Sequence, residues 1–186
     1  MNKNIRDYVK IYKNFLASDI CDSTVAHLES CEFKTHKFYN NYSSEYVYNE
    51  SEPDTYNSTT PFNDAIMQVN RAAILQYMTE LEFPWCNSWK GYRSPKFNRY
   101  VPGTNMKEHC DHIHDLFDGN TRGVPILTIV CALNDNYQGG EFVLFQDEPY
   151  KLDKGDIIMF PSNFLYPHRV DTVTDGIRYS YASWVW

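Results

Sequence analysis

The sequence predicts a mainly β protein with N-terminal α-helices, built as a jelly roll of about eight strands with the helices packed on one sheet. Three observations support this prediction. From about residue 93 the apolar period changes from 3.6 towards 2, turn signals become frequent, and no helical pattern interrupts the apolar segments. The 186 residues fit a single domain, in which residues 1–92 supply supporting helices and loops and residues 93–186 supply the β core.

The predicted strands share short apolar alternation and are separated by turns that contain Gly or Pro. They span residues 96–101, 106–112, 125–133, 140–146, 149–152, 156–161, 167–173 and 178–186. Two sheets made from these strands would face each other across an interior.

The N-terminal half shows helical signals of its own. Residues 8–16 predict a short strand, after which Ser18 or Asp19 is expected to cap a helix that runs to about Cys31. Residues 34–60 are rich in Tyr, Asn and Ser, and this composition predicts a loop with one strand.

A second helix is predicted after this loop. Pro61 stands at its start, and the apolar residues that follow recur at helical spacing as far as Leu81.

Composition excludes several classes of protein. The net charge of −7, with no Lys/Arg cluster, argues against nucleic acid as a partner. Five cysteines without CxxC spacing exclude a zinc ribbon and indicate a reducing compartment. The sequence shows neither a signal peptide nor an apolar run long enough to span a membrane, so a cytoplasmic location is expected. No feature of the sequence indicates an oligomeric state.

A candidate metal site lies where three of the six histidines fall within seven residues, His109 to Asp115. On a strand, residues two apart share a face, so His109 and Asp111 can bind one ion together. His168 opens the seventh predicted strand, which lies beside the second in a jelly roll. Two imidazoles and one carboxylate leave coordination positions open, the arrangement that non-haem iron(II) oxygenases use.

Other interpretations of this segment stay open. His112 and His114 would share the opposite face of the strand and form a rival pair. An exposed polar loop, or an adventitious nickel or zinc site, would show the same residue types.

Arg178 is a candidate anion anchor. On the last predicted strand it shares a face with Ser180, and a buried guanidinium is costly unless it is paired with an anion. Its planar fork binds a carboxylate through two hydrogen bonds, and Ser180 could donate another. The alternative is an ion pair with Asp171 or Asp175 at the mouth of the strand. Should the anchor lie elsewhere, Lys151, Lys154 and Arg169 are the next candidates.

The order of these motifs over residues 93–186 resembles the prolyl 4-hydroxylase-like branch of the iron(II)/2-oxoglutarate-dependent oxygenases. The motifs that carry the resemblance are Tyr100-x-Pro102-Gly103, His109-x-Asp111, Ala132-Leu133-Asn134-Asp135, Gly139-Gly140-Glu141-Phe142, Lys154-Gly155-Asp156-Ile157-Ile158-Met159-Phe160-Pro161, His168-Arg169-Val170, Arg178-Tyr179-Ser180 and Trp184.

This resemblance implies a double-stranded β-helix with iron(II) bound by His109, Asp111 and His168. It also implies that 2-oxoglutarate chelates the metal while Arg178 holds its distal carboxylate. Tyr100 matches a position that often contacts the cosubstrate, and Thr128 lies on a strand that lines the same pocket. The implied reaction uses molecular oxygen to hydroxylate a C–H bond, with release of succinate and carbon dioxide, and it allows for ascorbate as a reductant.

The substrate is less determined than the chemistry. Animal collagen-type enzymes usually place Lys where this chain has Arg178, and Met106 stands where aromatic residues are frequent. A prolyl or lysyl residue in a peptide is the favoured substrate, bound by the loops 34–60 and 112–124. The alternatives are a free amino acid or small molecule and, in a different class, a non-catalytic, metal-binding cupin-like protein.

Overall fold

The computed structural model describes residues 3–40, 43, 45–82, 89, 91–111 and 125–186. Within these residues the chain is mainly β and its strands pair antiparallel, which confirms the predicted class. The described helices are a 3₁₀ turn at Ile5–Tyr8, α1 at Ser18–Glu29 and α2 at Asn63–Leu81. None of these helices is long and apolar enough to cross a membrane.

Each of the eight predicted segments overlaps a strand, and further short strands precede or join them. The strands are β1 Lys10–Tyr12, β2 Lys34–Thr35, β3 Phe38–Asn40, β4 Glu45–Val47, β5 Asp54–Tyr56, β6 Lys96–Tyr100, β7 Met106–His109, β8 Leu127–Ala132, β9 Gln138–Gly139, β10 Phe142–Leu144, β11 Glu148–Tyr150, β12 Ile157–Pro161, β13 His168–Val170, β14 Val173–Asp175 and β15 Arg178–Val185.

Two larger sheets organise these strands. The large sheet has seven strands in the order β1-β12-β8-β15-β6-β5-β2, and the small sheet has four in the order β11-β10-β13-β7. Strands β14 and β9 form a separate pair, as do β3 and β4. Apart from the consecutive strands β10 and β11, neighbours in both larger sheets are distant in sequence. The order of the strands therefore brings the ends of the chain's second half together, with β15 beside β6 and β13 beside β7.

Side-chain alternation gives the large sheet two different faces. On β8, Ile129 and Cys131 point to an outer cluster that includes Ile66 and Tyr77 of α2. Val130, with Ala132, points to an inner cluster that includes residues of the small sheet, such as Phe142. The helices therefore cover the outer face, and the space between the sheets is left for the inner residues.

The turn at Gly155-Asp156 fastens the N-terminal segment to the large sheet. The buried Asp156 carboxylate accepts hydrogen bonds from the Lys13 ammonium at 2.7 Å and from the Asn14 backbone nitrogen at 2.9 Å. The Gly155 carbonyl accepts one from the Leu16 backbone nitrogen at 3.0 Å. These contacts hold β1 at the edge of the sheet beside β12.

The predicted helix starts need correction. Neither Ser18 nor Asp19 caps α1, because the Ala17 carbonyl already accepts from the Cys21 backbone nitrogen and Ser18 is thereby inside the first turn. Helix α2 begins at Asn63 rather than Pro61. The Asn63 side chain accepts hydrogen bonds from the backbone nitrogen and the hydroxyl of Thr60, which fixes the approach to the helix.

The loop predicted at 34–60 contains four short strands instead of one. Two of them, β2 and β5, extend the large sheet, with Thr55 of β5 opposite Asn98 of β6. Their sequences are polar because one edge of the sheet is exposed there, so the apolar pattern does not reveal them.

Two glycines with left-handed backbones test how tightly the N-terminal segment is packed. Gly155 has φ +84°, and a Cβ at this position would lie 2.3 Å from the Leu16 carbonyl oxygen. Gly103 has φ +92° with open space around it. We expect Gly103→Ala to lower the free energy of unfolding by about 1 kcal/mol through backbone strain alone. Gly155→Ala should cost roughly 1–3 kcal/mol more because backbone atoms must move.

Urea unfolding of both variants measures the difference. Equal losses would mean that the N-terminal segment moves away from the turn without cost.

Candidate metal centre and anion pocket

The register of two strands in the small sheet builds the candidate metal centre. Strand β13 pairs with β7 so that His168 lies directly opposite His109. The strand predicted at 106–112 ends at His109, and Asp111 lies in the bend that follows. The alternation of side chains along a strand therefore does not explain where the Asp111 carboxylate lies. The bend brings it close to the two imidazoles. His112 and His114, the rival pair, lie outside the described residues.

The three side chains converge closely. Asp111 Oδ1 lies 3.6 Å from His109 Nε2, and Asp111 Oδ2 lies 3.7 Å from His168 Nε2. One ligand atom from each residue can be chosen so that all lie within 4.8 Å of one another. Two imidazole nitrogens and one carboxylate oxygen at this spacing fit a first-row divalent ion such as iron(II).

Backbone carbonyls orient both imidazoles. The Lys107 carbonyl lies 2.8 Å from His109 Nδ1, and the Tyr166 carbonyl lies 3.1 Å from His168 Nδ1. A carbonyl can only accept, so each Nδ1 carries the proton and each Nε2 keeps its lone pair. The rings thereby present the nitrogen that a metal requires.

A pair of hydroxyls orients the carboxylate. Thr128 Oγ1 lies 2.7 Å from Asp111 Oδ2, and Ser162 Oγ lies 2.5 Å from Thr128 Oγ1. Because an ionised carboxylate only accepts, Thr128 must donate to Asp111 and Ser162 must donate to Thr128. Thr128 was expected to line the cosubstrate pocket, and its observed contact is instead with a candidate ligand.

Electrostatics keep Asp111 and His168 in their metal-binding forms. Burial favours a protonated Asp111, but His168, His109 and Thr128 outweigh it and hold the pKa of the carboxyl well below its usual range. Burial lowers the pKa of His168 to about 4 against the opposing effect of Asp111. Near neutral pH, Asp111 is therefore ionised and His168 neutral, as metal coordination requires.

Arg178 lies buried on the inner face of the large sheet, with 1% of its surface exposed. Its Nη1 donates to Ser180 Oγ at 2.9 Å, and its guanidinium carbon lies 4.9 Å from the centre of the Tyr100 ring. Nε has no hydrogen-bond partner among the described residues. The guanidinium therefore still has an N–H group that could donate to a ligand. Burial raises the pKa of Tyr100 to about 12, which keeps its phenol neutral.

The proposed alternatives for Arg178 have other partners. Asp171 accepts from Arg169 at 2.7 Å, and no carboxylate of the described residues forms a salt bridge with Arg178. Lys154 pairs with Asp22 at 2.9 Å. Lys151 lies 3.5 Å from Asp153 and is exposed. Among the described residues, therefore, no carboxylate neutralises the charge of Arg178.

Sequence reasoning missed several polar residues near this interior. Ser162 carries no motif of its own, and its role depends on the register between β8 and β12. Glu52, buried in the N-terminal half, lies 3.1 Å from His36. Lys96 and Asn98 stand on the inner side of β6, where strand alternation could have drawn attention to them.

Comparison with known proteins agrees with this geometry. Residues 95–186 match the family described as the 2OG-Fe(II) oxygenase superfamily, and the match includes His109, Asp111, His168 and Arg178. Residues 95–186 thus carry the sequence features of this superfamily.

Curated relatives refine the family. The chain is 36% identical over 99 residues to a PKHD-type hydroxylase of Rippkaea orientalis, which covers 52% of this chain and 44% of the relative. It is 38% identical over 99 residues to a PKHD-type hydroxylase of Aliarcobacter butzleri, covering 50% of this chain and 42% of the relative. The chain thus spans less than half the length of the relatives it matches. The predicted placement in the prolyl 4-hydroxylase-like branch is confirmed.

Solved structures share the fold over nearly the whole chain. The viral collagen prolyl hydroxylase of Paramecium Bursaria Chlorella virus-1 has a TM-score of 0.69 at 14% identity, with 98% of each chain covered. A Pseudomonas putida prolyl-4-hydroxylase has a TM-score of 0.67 at 19% identity, covering 95% of this chain and 91% of its own. A Trichoplax adhaerens prolyl hydroxylase, solved with a hypoxia inducible factor peptide fragment, has a TM-score of 0.69 at 18% identity, covering 96% and 83%.

The hydroxyl pair predicts how Thr128 variants will bind metal. Thr128→Val removes the donor at nearly constant volume, and we expect manganese(II) affinity to fall about 10- to 100-fold, the usual effect of losing a group that orients a ligand. Thr128→Ser retains the donor and should bind within a few-fold of the wild type. Isothermal titration with manganese(II) measures both, and the exposed Thr35→Val serves as the control.

Equal losses in Thr128→Ser and Thr128→Val would show that the methyl group matters rather than the hydroxyl. Thermal unfolding of the metal-free variants separates this from a loss of fold.

Proposed function

We propose that this protein is an iron(II)- and 2-oxoglutarate-dependent dioxygenase that hydroxylates a C–H bond. One observation carries the proposal: a His-Asp-His cluster and a buried arginine that pairs with no carboxylate of the described residues both belong to the interior between the two sheets. In the overall reaction, 2-oxoglutarate loses carbon dioxide and becomes succinate, which takes one atom of molecular oxygen. The other atom is inserted into the C–H bond.

Each residue has a definite task in this proposal. His109, Asp111 and His168 hold iron(II), which when bound supplies the activation of oxygen. Arg178 holds the distal carboxylate of 2-oxoglutarate through its planar fork, with Ser180 fixing the orientation of the guanidinium. The Tyr100 ring packs beside the guanidinium and its neutral phenol can donate to the same carboxylate.

The most favoured substrate is a prolyl or lysyl residue within a peptide. The relatives' description as PKHD-type hydroxylases and the peptide bound to the Trichoplax neighbour support this choice. A free amino acid or small molecule is the alternative, and ascorbate is proposed as a reductant.

The fold supports a finer interpretation as well. We interpret the facing seven- and four-stranded sheets as a double-stranded β-helix, with residues 93–186 as its core and residues 1–92 as supporting elements of one domain. The shared cluster of helix and sheet residues on the outer face supports a single unit.

The decisive experiment measures succinate release. Protein supplied with iron(II), ascorbate and 2-oxoglutarate should release succinate only when oxygen is present, and candidate prolyl and lysyl peptides should gain the mass of one oxygen atom. His109→Ala, Asp111→Ala and His168→Ala should each abolish turnover, whereas His27→Ala, which changes a half-buried residue of α1, should not. Turnover with zinc alone would contradict the proposal. Metal binding without oxygen-dependent succinate would instead favour the non-catalytic, cupin-like alternative.

Arg178 variants test the cosubstrate anchor. Losing a charge-assisted pair in a desolvated pocket typically costs about 2–5 kcal/mol, so Arg178→Ala should raise the apparent 2-oxoglutarate constant roughly 30-fold or more. Arg178→Lys should be milder, because the charge survives without the bidentate geometry. Ser180→Ala should cost about 1 kcal/mol. Titration of 2-oxoglutarate against succinate formation at saturating iron measures each value. An unchanged constant in Arg178→Ala would place the anchor elsewhere.

A further inference from the structure

Three successive cross-strand rows connect the arginine with the metal centre. Residues directly opposite each other in an antiparallel sheet point to the same face. On β6 and β15, Tyr100 lies opposite Arg178, Asn98 opposite Ser180, and Lys96 opposite Ala182. Because Arg178 stacks on Tyr100 in the inner cluster, Asn98 and Lys96 also face the interior.

The candidate metal centre lies beyond the last of these three rows, on the side away from Arg178. Strand β8 places Thr128 opposite Trp184 of β15, one row beyond Ala182, and Thr128 donates to Asp111. Asn98 and Lys96 therefore stand between the Arg178 anchor and the candidate metal ligands. The same rows carry the small side chains of Ala132 and Ala182.

Two polar groups on these rows make no hydrogen bond with any residue that the structure describes. Asn98 is 7% exposed, and its Oδ1 makes no hydrogen bond with any described residue. The structure shows no hydrogen bond or salt bridge for the Lys96 ammonium within the described part of the chain. Lys96 is half-buried. A half turn of the Asn98 amide would put its NH2 group, a donor, in the place of the unpaired oxygen, so both residues can donate to a ligand.

The charges around Lys96 favour an anion. The facing carboxylates are Glu52, which contacts His36, and Asp111, which contacts the two imidazoles and Thr128. Burial lowers the pKa of the Lys96 ammonium more than these two carboxylates raise it. A divalent ion on Asp111 would neutralise one of them and leave two cations beside each other. A further carboxylate between them would compensate both.

We propose that Lys96 and Asn98 form a second carboxylate subsite, which binds the 1-carboxylate of the 2-oxo acid while Arg178 binds the distal carboxylate. This inference rests on the proposed function. A carboxylate of the hydroxylated substrate would offer the same chemistry, and the ligand series below separates the two sources.

The experiment is an equilibrium binding measurement, made without oxygen on the manganese(II)-loaded protein. The probes are 2-oxoglutarate and 2-oxovalerate, which has the same chain and 2-oxo acid end but no distal carboxylate. Lys96→Met should weaken both ligands by the same factor, about tenfold or more for the loss of a charge-assisted hydrogen bond. Arg178→Ala should weaken 2-oxoglutarate and leave 2-oxovalerate unchanged.

Further variants make the comparison specific. Lys96→Arg keeps the charge and should restore most of the affinity, and Asn98→Ala should weaken both ligands by about threefold to tenfold. Arg71→Met removes an exposed charge from α2, on the outer side of the large sheet, and should change neither. Manganese(II) titration and thermal unfolding verify that each variant is loaded and folded.

The outcomes distinguish the proposed carboxylate subsite from the proposed function on which it rests. Wild-type protein that binds manganese(II) but not 2-oxoglutarate would overturn both. Wild-type binding with unchanged affinities in Lys96→Met would overturn the subsite alone. A loss for 2-oxoglutarate that 2-oxovalerate does not share would place Lys96 at the distal end and also overturn it.

Discussion

The interior between the two sheets holds a carboxylate and a guanidinium that do not pair with each other, and this separation constrains the rest of the structure. A buried charge is costly unless hydrogen bonds or an opposite charge compensate it. Asp111 is compensated by two imidazoles and the Thr128 hydroxyl. Arg178 has only Ser180 and aromatic ring faces among the described residues. The asymmetry indicates that part of the compensation for Arg178 comes from a ligand.

The outer face of the large sheet supplies the stability that such an interior requires. Strand β8 is buried along all six residues, because the helices cover one side of it and the small sheet covers the other. The outer cluster is almost wholly apolar and includes α1 and α2. Close packing on that side fixes the register of β8 against β12 and β15, and this register places Thr128 beside Ser162. The orientation of the metal ligands therefore depends on packing several residues away from them.

The sequence was most informative where chemistry and strand pattern coincide. His109, Asp111 and His168 could be selected because unusual residue types stand at strand ends, and Arg178 because a cation interrupts an apolar strand. What could not be selected depends on tertiary register. Strand β7 ends at His109, and a bend then brings the Asp111 carboxylate back towards the imidazoles. Thr128 contacts Asp111 only because the two sheets face each other. Helix α1 likewise begins at Ser18 with Ala17 as its N-cap, so it lacks the side-chain cap that was expected.

The strands of 34–60 were missed for a different reason. They are short, polar and at a sheet edge, and their pairing energy comes from backbone hydrogen bonds that carry no apolar signature. A pattern of hydrophobic residues indicates which side chains are buried. A strand at an exposed edge buries few side chains, so this pattern does not predict it.

The sheet edge formed by β2 and β5 also explains why the reaction is easier to infer from the sequence than the identity of the substrate. The family match begins at residue 95 and contains the candidate ligands and the arginine. Glu52 belongs to the unmatched half, and yet it faces Lys96 because the Asn105 backbone nitrogen donates to the Ser51 carbonyl at 2.7 Å. Strand β5 then continues from this point to pair with β6. Polar groups from outside the family match are thus fastened beside the site by backbone contacts. Such contacts tolerate changes of side chain, so this edge can vary its recognition groups while the metal ligands keep their positions.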